Sequence, residues 1–318
     1  MAMIYFGTMN GLEFIKSKQQ SWARRVGFEL VGGTIPNRGE KNYLPNLTDN
    51  LFEPLSKESF ASYKSGDGNE TRDSKTRLAK MKALHSSSAI VVNLFQYWQG
   101  KKDISPILNT CRLCSRNSGM GVMIERLGSV SEREIPIVLS PLKYEIKFEE
   151  QYKISEDKSL FPHSPNIDVV VDTPFSDLAI EAKFTEPYSS RKHGGLKEKY
   201  IDDISFWDGL PNLYELAKEI SPNDNRFQYL DAAQLIKHIL GLKRSCKKKY
   251  FRLFYLWYDV IGQDGAEHRK EIEQFAEIAK KDDVRFNHIT YQEVIVDLAK
   301  EFYNGNESYC DYLTNRYL

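Results

Sequence analysis

Two short apolar runs joined by a turn-rich connection constrain this chain more than any other feature. Residues 167–171 read Ile-Asp-Val-Val-Val and residues 178–184 read Leu-Ala-Ile-Glu-Ala-Lys-Phe. Between them Asp172, Thr173, Pro174, Phe175, Ser176 and Asp177 have the chemistry of a turn, so the pair reads as an antiparallel hairpin. Side chains alternate along a strand, which sets Glu181 and Lys183 on one face and Ile180, Ala182 and Phe184 on the other. In an antiparallel pairing, Asp168 near the start of the first strand lies across from Glu181 near the end of the second. Two carboxylates then converge beside one ammonium, on a strand whose other face is core.

That grouping suits metal chemistry on phosphate. Asp168 and Glu181, joined by the backbone carbonyl of Ala182, make an all-oxygen set of the kind hard Mg²⁺ takes, with Mn²⁺ as a substitute. A metal there would stabilise charge on a scissile phosphate and acidify water, while Lys183 would hold or deprotonate the attacking water.

Pro165-x-x-Asp168, a hairpin-length spacer and Glu181-x-Lys183 resemble the core motif of the PD-(D/E)xK nuclease superfamily, except that Asp168 stands three residues after Pro165 and does not directly follow it. A wider pattern is similar to a bacterial subgroup of proposed restriction endonucleases. It comprises Leu84 to Ser88 with Asn93-Leu94-Phe95, Glu181 to Glu186, Gln234 to His238, and Tyr312-Leu313 with Arg316-Tyr317, and covers roughly residues 80–318. The resemblance implies an α/β fold with a restriction-endonuclease-like mixed β-sheet flanked by α-helices. It also implies Mg²⁺-dependent hydrolysis of DNA phosphodiesters by a type II-like endonuclease, with Asp168 and Glu181 as ligands. The superfamily usually adds a further acid, for which Glu149 is the first candidate and Glu150 and Glu125 follow. It often adds a helix-borne polar residue beside the lysine, here Gln234, with Lys237 or His238 one turn on. Double-stranded DNA is the expected partner, and symmetry argues for a homodimer presenting two sites to two strands. The alternatives are a non-catalytic DNA-binding protein that keeps the fold, and a repair or recombination nuclease.

Charge limits how DNA could be held. Lys and Arg total 44 and so do Asp and Glu, giving a formal net charge of zero over 318 residues, so any phosphate-binding surface must come from local clusters. Two are visible: residues 189–199 with Arg191, Lys192, His193, Lys197 and Lys199, and residues 243–249 with Lys243, Arg244, Lys247, Lys248 and Lys249. The N-terminal residues show no secretory leader and no apolar run approaches a membrane span, so a cytoplasmic location is expected. Cys111, Cys114, Cys246 and Cys310 then read as reduced thiols; the zinc-like spacing of Cys111 and Cys114 has no second ligand pair. His85 with Ser86 and Ser87 lacks an acid partner for nucleophilic catalysis, and a helix cap explains the serines better.

Elsewhere, periodicity predicts helices over residues 10–30, 75–98 (interrupted at Ser86 to Ser88), 210–219, 227–242, 265–281 and 291–303. Strands are predicted over 121–127, 144–154 and 250–260, and loops over 32–50 and 64–75. Residues 1–80 read as a helical and loop-rich elaboration, and residues 81–318 as the nuclease domain.

Overall fold

A computed structural model describes residues 9–35, 37–65, 70–113, 144–173, 176–190, 192–246 and 250–318. Helix α1 (Gly11–Arg25) starts where Asn10 Oδ1 accepts the Glu13 N–H at 2.9 Å. It ends short of the expected residue 30, because Gly27 takes φ +82° and turns the chain out of the helix. The expected loop over 32–50 is instead a hairpin of β1 (Val31–Thr34) and β2 (Arg38–Tyr43). Most of β2 is exposed and polar, so no apolar alternation marks it. Gly32 is required there, since a Cβ would sit 2.2 Å from the Arg38 carbonyl oxygen.

Helix α2 (Lys57–Ser65) precedes a second departure from expectation. Only the latter part of residues 75–98 forms a regular helix, α3 (Ser87–Phe95), with Ser86 Oγ accepting the Ala89 N–H as its cap. The basic first half is irregular: Arg77 and Ala83 bridge to Thr34 and Tyr43, and Lys80 and Lys82 pair with Glu70 and Asp73. Helix α4 (Ser105–Thr110) follows, and the strand expected over 121–127 lies outside the described residues.

The α/β architecture expected from the sequence is present. A five-stranded sheet runs in the order β3 (Glu145–Gln151), β4 (Asn166–Asp172), β5 (Ser176–Lys183), β6 (Tyr250–Trp257), β7 (Phe286–Thr290). The first three strands are antiparallel, and β6 and β7 run parallel to β5. Strand β5 is central and buried along its length to Ala182, which is why its sequence is nearly continuous apolar residues. Parallel neighbours need crossovers. The chain between β5 and β6 supplies α5 (Glu198–Ile201), α6 (Pro211–Glu219) and α7 (Ala232–Ser245), and α8 (Gln263–Lys281) joins β6 to β7. Helix α7 begins five residues later than the apolar pattern suggests, because Glu271 accepts the N–H groups of Gln228, Tyr229 and Leu230 and holds them out of the helix. Helices α9 (Tyr291–Glu301) and α10 (Glu307–Tyr317) close the chain, the first opening on a reciprocal Thr290–Glu293 cap.

The sheet separates two cores. Val169, Val171, Ile180 and Leu256 face α1 to α4, α9 and α10, while Val170, Ala179, Leu253 and Trp257 face α6 to α8. Ile15, Leu51, Tyr63 and Met81 belong to the first core, continuous with α3 and α9. Among the described residues no helix is long and apolar enough to cross a membrane.

The guanidinium of Arg316, 1% exposed, joins distant parts of that first core. Its Nε donates to Gln19 Oε1 at 3.1 Å, and its terminal nitrogens donate to the Asn50 carbonyl at 2.8 Å and to Asn50 Oδ1 at 2.5 Å. Its central carbon, Cζ, lies 4.2 Å from the Trp22 ring centroid. These acceptors are uncharged, so planar shape and donor count decide the fit. We expect Arg316→Leu to lower the unfolding free energy by about 2–4 kcal/mol by stranding several buried acceptors. We expect Arg316→Lys to recover little of it, as urea unfolding would show.

Candidate active site

The sheet register draws the candidate acids into one row. Strands β3 and β4 place Phe148 opposite Val169 and Glu150 opposite Ile167, which sets Glu149 level with Asp168. Strands β4 and β5 place Val169 opposite Ile180, which sets Asp168 level with Glu181. Asp168 Oδ2 accepts the Ala182 N–H at 2.8 Å. The Lys183 carbonyl accepts the Tyr258 N–H at 2.9 Å and so faces β6; alternation turns the carbonyl of Ala182 to the opposite side, that of Asp168.

Glu181 is 1% exposed, a carboxylate inside the central strand. Lys183 Nζ lies 2.5 Å from Glu181 Oε1 and donates to Gln234 Oε1 at 2.9 Å. Gln234 is on the first turn of α7, whose cap is Asp231: its Oδ1 accepts the Gln234 N–H at 2.8 Å. One turn on, His238 Nε2 comes within 2.9 Å of Glu181 Oε2. The sequence marked His238 only as a neighbour of Gln234; the four-residue spacing that puts both on one helical face was the available signal.

Glu149 stands at the edge of the row with φ +57°, a left-handed conformation costly for a residue with a side chain. Asn166 Nδ2 donates to its Oε2. Beyond it lies Glu70, whose carboxylate takes Lys80 at 3.2 Å and the Ser88 hydroxyl at 3.0 Å. Glu70 was not foreseen, since it reaches the site from a polar segment with no periodicity. Glu150 falls one residue out of the row, where its charge is felt with that of Lys147. Glu125, Arg191, Lys247, Lys248 and Cys114 lie outside the described residues. Lys197 is exposed on the loop before α5, and Lys192 is exposed but lines a cavity of about 610 Å³ together with Lys183, Gln234 and Lys237. Helix α1 contributes Leu12 and Lys16 to the same cavity.

The electrostatics are those of crowded carboxylates. Burial raises the Glu181 pKa, but Lys183 and His238 outweigh it and bring it to about 2. For Lys183, burial favours loss of the proton, and the negative charges of Glu181, Asp168 and Glu186 overcome this and hold its pKa above the usual lysine range. Burial and the charge of Glu181 hold Asp168 well above the ordinary carboxylate range. Burial, Glu70 and Glu181 push Glu149 up to about 7. Among the described residues no three His, Cys, Asp or Glu side chains form a metal cage by themselves. Asp168, Glu181 and the Ala182 carbonyl are a partial, all-oxygen donor set.

The sequence profile of a family described as Restriction Endonuclease associating with ARP matches residues 16–318, nearly the whole chain. The chain belongs to this family. No curated protein and no solved structure matches it. In this member of the restriction endonuclease family, the match takes in the sheet and the whole lining of the cavity except Leu12, along with most of α1.

The raised Glu149 pKa has a consequence for stability. Its protonated form is favoured in the folded chain, so its contribution is full below the ordinary value of 4.5 and is lost as pH rises through about 7. We expect calorimetry in EDTA to show the melting temperature of the wild type falling across that window. Glu149→Gln should flatten the fall; an unchanged pH profile would contradict the assignment.

Proposed function

We propose that the chain is a Mg²⁺-dependent endonuclease of the PD-(D/E)xK type that hydrolyses DNA phosphodiesters, acting as a type II-like restriction enzyme. The observation that carries this reading is the placement of Lys183 Nζ between Glu181 and Gln234, beside the row formed by Asp168 and Glu181. Membership of a restriction endonuclease family supports it.

The residues fit the metal. Their donors are all oxygen, and the elevated Asp168 pKa reflects burial and carboxylate repulsion, both of which a divalent cation would relieve. Asp168, Glu181 and the Ala182 carbonyl would hold Mg²⁺, leaving the remaining positions to water and phosphate. When bound, the ion supplies charge stabilisation at the scissile phosphate and a more acidic water.

The side chains supply the rest. Lys183 is an ammonium with three donors, of which one meets Glu181 and one Gln234. The third remains for the attacking water or a non-bridging phosphate oxygen, so we assign Lys183 to positioning and charge stabilisation ahead of proton abstraction. Gln234 fixes the direction of the lysine, and His238 fixes the second oxygen of Glu181. Lys192 and Lys237, in the cavity beside Lys183, are suited to the flanking DNA backbone. A double-strand cut calls for two such centres, which a homodimer would provide.

With unmethylated phage DNA and Mg²⁺ we expect discrete fragments, abolished by EDTA. Lys183→Ala and Asp168→Asn should each slow cleavage by about 10³-fold or more. Gln234→Ala, which frees the lysine without removing it, should cost about 10–100-fold. Smeared products would sink site-specific restriction, and intact DNA despite a firm gel shift would sink hydrolysis.

A further inference from the structure

His193 lines the cavity beside Lys183, and the chemistry above leaves it unused. Its ring is only 13% exposed, and Nδ1 lies 3.7 Å from Asp231 Oδ2. Asp231 therefore serves two partners: one oxygen caps the helix that carries Gln234, and the other faces His193. The second ring nitrogen, Nε2, is buried and has no hydrogen-bond partner among the described residues, although the ring lines the cavity. A buried imidazole nitrogen without a partner is costly, and an oxygen brought into the cavity would give it one. The neighbouring charges favour an anion. Lys16, Lys183, Lys192 and Lys237 share the cavity, while its two carboxylates are already engaged, Asp231 as above and Glu186 by the N–H groups of Phe184 and Thr185 at 3.0 Å each; Asp224, which lines a neighbouring cavity with His193, accepts the N–H groups of Arg226 and Phe227 through Oδ1.

We propose that His193, oriented by Asp231, is a substrate-binding residue whose Nε2–H donates to a non-bridging oxygen of a DNA phosphate adjoining the scissile one. The Asp231 carboxylate 3.7 Å away raises the imidazole pKa, which favours the charged ring that such a contact needs. One helix-capping carboxylate then sets both the lysine, through Gln234, and the backbone clamp. This inference rests on the nuclease reading.

The test is duplex DNA binding by the full chain, with Ca²⁺ in place of Mg²⁺, over a series of salt concentrations. His193→Gln should weaken binding about 3- to 10-fold at low salt and reduce the slope of log K against log salt by about 0.9, the signature of one lost phosphate contact. His193→Lys, which restores a cation, should recover most of the slope. Wild-type affinity and slope in His193→Gln would overturn the proposal. So would weaker binding with an unchanged slope, because that is what a purely structural role produces. Failure of the unaltered chain to bind or cut any duplex would overturn the nuclease reading and this inference together, a result distinct from either of the others.

Discussion

A carboxylate buried in the middle of the central strand sets the terms for everything around it. Glu181 is as inaccessible as Ile180 and Ala182, which flank it in the strand. An isolated charge there would be prohibitive, and the group would simply keep its proton. It stays ionised because an ammonium meets one oxygen and an imidazole comes close to the other. Those partners come from different elements, the end of β5 and the second turn of α7, so the position of α7 against the sheet is bound to the charge of one side chain. The capping of α7 by Asp231 follows from the same requirement, because it fixes where the first turn, and with it Gln234, begins.

The remaining acids are treated differently. Asp168 has one main-chain N–H and Glu149 one amide, while both face the charge of Glu181. Glu149 is further held in a left-handed backbone conformation. The folded chain thus carries carboxylate repulsion and local strain at one end of the row and, at the other, a charge paired with an ammonium. Such an imbalance is common where a site awaits a cation or substrate.

How much of this was legible depends on range. The β4–β5 hairpin and the Glu181–Lys183 spacing were readable because alternation and turn chemistry act over a few residues, whereas the five-residue β7, Phe286–Thr290, was not foreseen. Gln234 was singled out by the resemblance, and the helical pattern around it placed it on a helix. The β1–β2 hairpin was not, because Arg38, Glu40 and Lys41 present no buried face to give it a period. The irregular stretch before α3 was misread as helix for the converse reason: its lysines suit a helix, but Glu70, Asp73 and bridges to the first hairpin hold the chain open. Glu70 and His193 reach the site through tertiary placement, and no local pattern near either residue foretells its neighbour.

Arg316 carries a consequence for the order in which the molecule can be completed. It meets Gln19 across 297 residues of sequence and Asn50 across 266. On a ribosome, the groups that seat α1 wait without their partner until α10 has been made. Because α1 also forms one side of the cavity beside Lys183, that wall gains these contacts only once α10 is present. In a member of a restriction endonuclease family, a fragment that stops before α10 would lack the contacts that seat this wall.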